Sequence, residues 1–187
     1  RLKALRPTAE TASQVLEGTD IQVNESYFLP MLSAYEKSTE YVAAWNHEEE
    51  MEEGLFRVSI PDFDKRAFRE ALVNAFCHRD YSMLGRVRVE INSEGMLISN
   101  PGGFIEGINA DNLLDAEPHG RNPVLADALK RVGLAELTGR GIDRIYEGSL
   151  LYGRLLPDYS RSTSTSVRRF IPRGMPDSAC VRMLSEE

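Results

Sequence analysis

The chain has 187 residues, 42% hydrophobic and 27% charged, which is room for one domain with a sizeable core. Its net charge of -7 argues against broad non-specific binding to nucleic acid, because phosphate contacts need an excess of Lys and Arg. Cys77 and Cys180 form no disulfide framework, and His47, His78 and His119 lack the paired spacing of a zinc site.

No apolar run approaches the roughly 18 residues that cross a bilayer, and no secretory leader opens the chain. A soluble, cytoplasmic protein with no membrane partner is therefore expected. The chain opens on Arg1 rather than Met and reads as a piece of a longer protein. Residues 1–60 are its least legible part. "RLKALRPTAETASQVLEG" holds turn and cap residues but no clean period. "ESYFLPMLSAYEKSTEYVAAW" predicts a helix after Pro30, with Met31, Leu32, Tyr35, Tyr41 and Val42 as its apolar positions. "NHEEEMEE" (46–53) reads as a solvated turn or helix end. "GLFRVSI" (54–60) alternates like a strand and stops at Pro61.

A helix follows in "PDFDKRAFREALVNAFCHRDYS", capped by Asp62 or Asp64. "GRVRVEINSEGMLISNPGGF" predicts a hairpin turning at Ser93-Glu94-Gly95 and broken by Pro101-Gly102-Gly103. Residues 107–121 read as a short helix or loop. "NPVLADALKRVGL" is a helix with Asn122 as cap, Pro123 at its first position and Gly133 at its end. "TGRGIDRIYEGSLLYGR" is a glycine-rich turn entering another helix, "SRSTSTS" (160–166) a mobile hairpin connection, and "VRRFIPRG" a closing strand. The mixture predicts an α+β fold, with helices layered on a sheet.

The helix at 68–82 carries a polar line. With Glu70 at zero and 100° per residue, Asn74 falls at about 40° and His78 at about 80°, with apolar side chains on both flanks. Such a seam faces solvent, gives Asn74 a buried hydrogen bond to backbone, or opens on a pocket. In a pocket, Glu70 is a candidate base or water-orienting carboxylate, and Asn74 a hard oxygen ligand suited to Mg²⁺. Gly102 and Gly103 leave a strand where a ligand could approach the backbone closely. Gly139 and Gly141 precede a helix whose free N–H groups could hold phosphate. Arg121 could reach a phosphate or bond the preceding loop. The many arginines of the second half, among them Arg79, Arg121, Arg154 and Arg169, read as solvated charges with local acidic partners; direct nucleic-acid contact is the competing reading. "HRDY" (78–81) reads as a helix C-terminus, with Tyr81 packing back.

Together "REALVNAFCHRDY", "LISNPGGF", "GRNPVLADALKRVGL" and "LTGRGIDRI" resemble the ATPase-like domain of bacterial RecG-like, helicase-related transcriptional regulators, itself similar to the GHKL superfamily of gyrase B, the 90-kDa chaperone, histidine kinases and MutL. The resemblance covers roughly residues 55–175. It implies a two-layer, Bergerat-type sandwich on a mixed, mainly antiparallel sheet, with ATP and Mg²⁺ as cofactors. It implies Glu70 as the catalytic carboxylate and Asn74 as the metal ligand. Asn100, with Gly102 and Gly103, stands where an Asp-x-Gly box holds the adenine amino group, and Gly139 and Gly141 resemble a second glycine box at the phosphates. Asn replaces that Asp here, and the loop "EPHGRNP" (117–123) is short for a lid.

The resemblance further implies that residues 1–54 are the tail of a preceding Schlafen/AlbA-like domain with a connecting helix, and residues 176–187 a C-terminal tail. DNA binding would lie in domains missing from this chain, and a homodimer fits the family. No G-x-x-x-x-G-K-[ST] loop is present, so no P-loop helicase motor is expected. Two functions stand: an ATP-binding module of a DNA-associated transcriptional regulator, with weak ATPase activity as its enzymatic form, or a degenerate dimerisation or partner-binding scaffold that binds no nucleotide.

Overall fold

The computed structural model describes residues 8–18, 20–53, 56–116, 120–135, 140–177, 179 and 180. Its elements in chain order are β1 (Thr8–Glu17), β2 (Asp20–Pro30), α1 (Met31–Trp45), β3 (Glu48–Glu53), β4 (Phe56–Pro61), α2 (Lys65–His78), β5 (Val87–Ile91), β6 (Gly95–Pro101), α3 (Pro123–Arg131), α4 (Gly141–Leu150) and β7 (Ser166–Pro172). The main sheet has the order β2-β1-β5-β6-β7. Only the β1–β5 pairing is parallel, so this is the mixed, mainly antiparallel sheet of an α+β, GHKL-like sandwich.

Period-two alternation aims one face of each central strand at the helices. Val87, Val89 and Ile91 of β5 are buried, as are Met96, Ile98 and Asn100 of β6 and Val167, Arg169 and Ile171 of β7. Against them lies α2, whose Phe68, Ala71, Leu72, Ala75 and Phe76 are all buried. Asp64 starts α2 by accepting from the backbone N–H of Arg66 and Ala67 (2.9 and 2.8 Å), as one of the two predicted caps. Asn46, at the end of α1, clamps Phe63 by both its backbone N–H and C=O (2.8 and 2.9 Å) and so sets where α2 enters the core.

Two stretches depart from expectation. Residues 8–30, without a period in sequence, form the long β1–β2 hairpin, and β1 joins the main sheet beside β5. The inward residues Thr11 and Ser13 of β1 are fully buried though polar, which hides the strand from a hydrophobic pattern. The acidic run at 48–53 is not a turn or helix end but β3, paired with β4. Arg57 of β4 meets Glu52 and Glu50 across that ladder (3.3 and 3.8 Å), so cross-strand charge partners offset the poor strand propensity of glutamate. The helix after Pro30, the 93–95 turn, the loop character of 107–116 and the glycine stop at Gly133 (φ 72°) follow the sequence.

Candidate functional site

The polar line of α2 does not face solvent. Glu70 is 6% exposed, and together with Asn74 and His78 it lines a cleft of about 560 Å³. That volume falls within the roughly 300–1,000 Å³ of small-molecule sites. The sheet contributes Asn100, Val167 and Arg169 to the cleft, the turn after β6 contributes Gly103, and the start of α4 contributes Arg140 and Gly141. Phe104, Ile105, Ile108, Leu113 and Leu114 form an apolar wall, and Lys130 closes the α3 side.

Glu70 and Gly141 meet directly. A Cβ at position 141 would collide with the Glu70 carboxylate, so glycine is what lets α4 begin against α2. The carboxylate thereby lies at the positive end of the α4 dipole. One turn along α2, Asn74 Nδ2 is buried without a hydrogen-bond partner among the described residues. A buried amide left unpaired costs free energy of order 1–3 kcal/mol unless a ligand completes it. Carbonyl and amide ends of such a side chain exchange by a simple flip, so Asn74 can turn either to the cleft. At the far end His78 has its pKa pushed down to about 4, first by burial and then by the positive charges of Arg169 and Arg121, so its imidazole is neutral at neutral pH. Asn100 is 2% exposed, and its Nδ2 donates to Pro101 O (3.1 Å).

Arg121 and Gly102 lie elsewhere. Arg121 donates to His78 O (3.2 Å) and Gly103 O (2.9 Å) and pairs with Asp80 (3.4 Å). Its guanidinium is spent on the protein. Gly102 has φ +93°, and a Cβ there would stand 2.8 Å from the Asp80 Cβ. Both serve a knot that closes the C-terminus of α2. Tyr81 Oη donates to Phe76 O (3.1 Å), Asn122 Nδ2 to Cys77 O and Arg79 O (2.8 and 2.7 Å), and Asp80 N to Pro101 O (2.8 Å). This is the work of "HRDY". Asn122 does sit at the start of α3, but its side chain makes no cap there because it reaches back to α2. Gly139 and part of the 117–123 loop lie outside the described residues.

The arginines also depart from the solvated reading. Arg79, Arg154 and Arg169 are buried and bind backbone carbonyls: Gly85 O for Arg79, Gly174 O and Asp62 O for Arg154, and Ala71 O for Arg169. Sequence reasoning missed Lys130, Tyr159 and Arg169 as cleft residues. Only the alternation of β7 hinted at Arg169, because Val167, Arg169 and Ile171 share one face.

No group of three or more His, Cys, Asp or Glu able to hold a metal exists among the described residues. Mg²⁺ needs no such cage, since it usually takes one or two protein oxygens, several waters and its partner's phosphates. The amide oxygen of Asn74 and the neighbouring carboxylate of Glu70, both on the cleft lining, fit that sparse requirement. No helix among the described residues is long and apolar enough to cross a membrane.

No curated protein matches the chain. Among solved structures, the DIP2311 protein from Corynebacterium diphtheriae superposes with a TM-score of 0.85 over 97% of this chain, at 24% sequence identity. The chain spans 38% of the length of that protein, and the likeness establishes the fold. Residues 85–168 match the family described as "Putative ATP-dependent DNA helicase recG C-terminal". The matched stretch runs from the strand before Asn100 to the strand that carries Arg169. Across residues 85–168, then, the chain is similar to the ATPase-like C-terminal domain of RecG-related proteins.

Proposed function

We propose that the chain is the nucleotide-binding module of a DNA-associated transcriptional regulator, and that its cleft takes a nucleoside triphosphate with Mg²⁺. The observation that carries this reading is the meeting of Glu70, Asn74 and Gly141 at one cleft of about 560 Å³. In this reading Asn74 Oδ1 is the protein's ligand to Mg²⁺, and Glu70 orients a water or accepts its proton. Lys130 and Arg140 supply positive charge for phosphates, and the apolar loop with Phe104 and Ile105 excludes water from one side. Bound Mg²⁺ would screen the phosphates' charge from Glu70. β1 and α1 build the same sheet and core as residues 55–175, so in this reading the ATPase-like domain takes in residues 8–45 as well, with 176–187 a tail, DNA contact left to other domains and a homodimer as the assembly.

Calorimetric titration with Mg²⁺–ATP tests the reading. Saturable binding at millimolar concentration or tighter is expected, lost on chelation of Mg²⁺ and weakened roughly tenfold or more in Asn74→Ala. No binding at millimolar nucleotide, or an Asn74→Ala variant that binds like the parent, overturns it. Slow hydrolysis, where present, should vanish in Glu70→Ala while binding survives. The competing reading, a scaffold that binds no nucleotide, is favoured by one observation: Glu70 already packs on Gly141 at the start of α4, where a phosphate would sit. It predicts a stable oligomer by light scattering that nucleotide leaves unchanged.

A further inference from the structure

Arg169 carries a buried positive charge on the sheet side of the cleft. It is 4% exposed, and no carboxylate pairs with it among the described residues. Its Nε donates to Tyr159 Oη and its Nη1 to Ala71 O, both at 2.7 Å, and both acceptors are neutral. Nη2 has no protein partner among the described residues, and the side chain lines the cleft. The acids of the lining are placed elsewhere: Glu70 lies against Gly141, and Asp143 stands in the first turn of α4. Asn100 pairs with Val167 across the β6–β7 ladder and so lies diagonal to Arg169 on one face, but its amide carries no charge. A guanidinium taken out of water is costly unless an anion accompanies it.

The surroundings narrow the kind of anion. One nitrogen remains and one charge is to be balanced, which a carboxylate does through a charge-assisted hydrogen bond. A phosphate dianion would leave excess negative charge buried, and the other cations of the lining, Lys130 and Arg140, belong to α3 and the start of α4. The rest of this end is flat and apolar. Arg169 Cζ stands 5.3 Å from the Tyr159 ring centroid, and the Tyr159 and Phe104 rings are 6.3 Å apart and inclined by 42°. Both rings line the cleft beside Ile105 and Val167. A buried cation at the edge of an aromatic wall matches a molecule that carries a carboxylate on a ring.

We propose that this end of the cleft is a binding subsite for an aromatic carboxylic acid, with the carboxylate on Arg169 Nη2 and the ring against Phe104 and Tyr159. The subsite goes beyond the nucleotide reading and does not depend on it, since it uses neither Asn74 nor a metal ion.

Calorimetric titration of the whole chain, free of nucleotide and Mg²⁺, tests it with benzoate, benzamide, acetate and inorganic phosphate as probes. Benzoate should bind saturably at millimolar concentration or tighter. Benzamide keeps the ring without the charge, and acetate keeps the charge without the ring; each should bind roughly tenfold or more weakly than benzoate. Asn100→Asp should abolish benzoate binding, because a carboxylate at position 100 would pair with Arg169. No saturation by benzoate, or benzamide binding as tightly, overturns the proposal, and this comparison on the parent chain decides even where a variant does not fold. Acetate as tight as benzoate removes the ring from the site and overturns the aromatic assignment. Phosphate as tight as benzoate assigns Arg169 to phosphate and overturns it as well, as does benzoate binding left unchanged in Asn100→Asp. A parallel titration with Mg²⁺–ATP keeps the two readings apart: ATP bound with benzoate inert overturns the acid subsite alone, and benzoate bound with ATP inert upholds it while the nucleotide reading falls.

Discussion

The two ends of α2 contrast. At its C-terminus, the carbonyls of Phe76, Cys77 and His78 accept from Tyr81, Asn122 and Arg121 respectively, and Asp80 pairs with that Arg121. On its cleft face, Asn74 Nδ2 has no partner, and the facing Arg169 has no counter-charge among the described residues. Both regions are polar, partly buried and close in sequence. The difference teaches that a polar cluster completed by the protein holds the fold, whereas one left incomplete at a cleft waits for a ligand.

Substitutions separate the two. The largest loss of stability is expected at Gly102→Ala, about 2–4 kcal/mol by urea unfolding. The left-handed backbone there disfavours a Cβ, and Asp80 leaves no room for one. A loss below about 0.5 kcal/mol would contradict the knot's role. The acid limb comes next. The unfolded imidazole of His78 takes up a proton near its ordinary value of 6.5, and the folded one only near 4. Between those values the unfolded state binds more protons, so stability falls as pH drops from about 6.5 to about 4 and the loss levels off below, reaching at most about 3 kcal/mol. His78→Gln should flatten that limb in unfolding curves taken across the range, and an unchanged slope would remove His78 as its source.

Asn122→Ala should cost about 1–3 kcal/mol, because it orphans the carbonyls of Cys77 and Arg79. Asn74→Ala belongs to the other region. Its thermal midpoint should stay within a few degrees of the parent, since no hydrogen bond is lost from its Nδ2. A large destabilisation would move Asn74 into the structural class and sink the contrast.

The same physics decides what the sequence could reveal. The E-x-x-x-N line, the 93–95 turn and the Pro123–Gly133 helix are local patterns, set by helical period, turn chemistry and caps. They hold in the structure because burial and propensity agree there. The β1–β2 hairpin stayed hidden because its inward Thr11 and Ser13 are polar, and β3 because glutamates carry no strand signal until β4 pairs with them. In the cleft, Glu70, Asn74 and His78 were legible from one helix. Arg169 and Tyr159 were not, because the burial of Arg169 follows from pairing β7 with β6, and Tyr159 reaches it through the Asp158–Phe170 bridge. Arg121 and Gly102 carry a recognisable motif, but only the geometry shows that they brace α2 and do not line the cleft.

A crystal structure grown with Mg²⁺ and a non-hydrolysable nucleoside triphosphate tests the central claim most directly. The account predicts a cation bound by the Asn74 amide oxygen and the nucleotide within the cleft that Glu70, Asn74 and Gly141 line, with the Gly102–Arg121–Asn122 knot unmoved. A cleft left empty at millimolar nucleotide, or nucleotide bound away from Asn74, would contradict it.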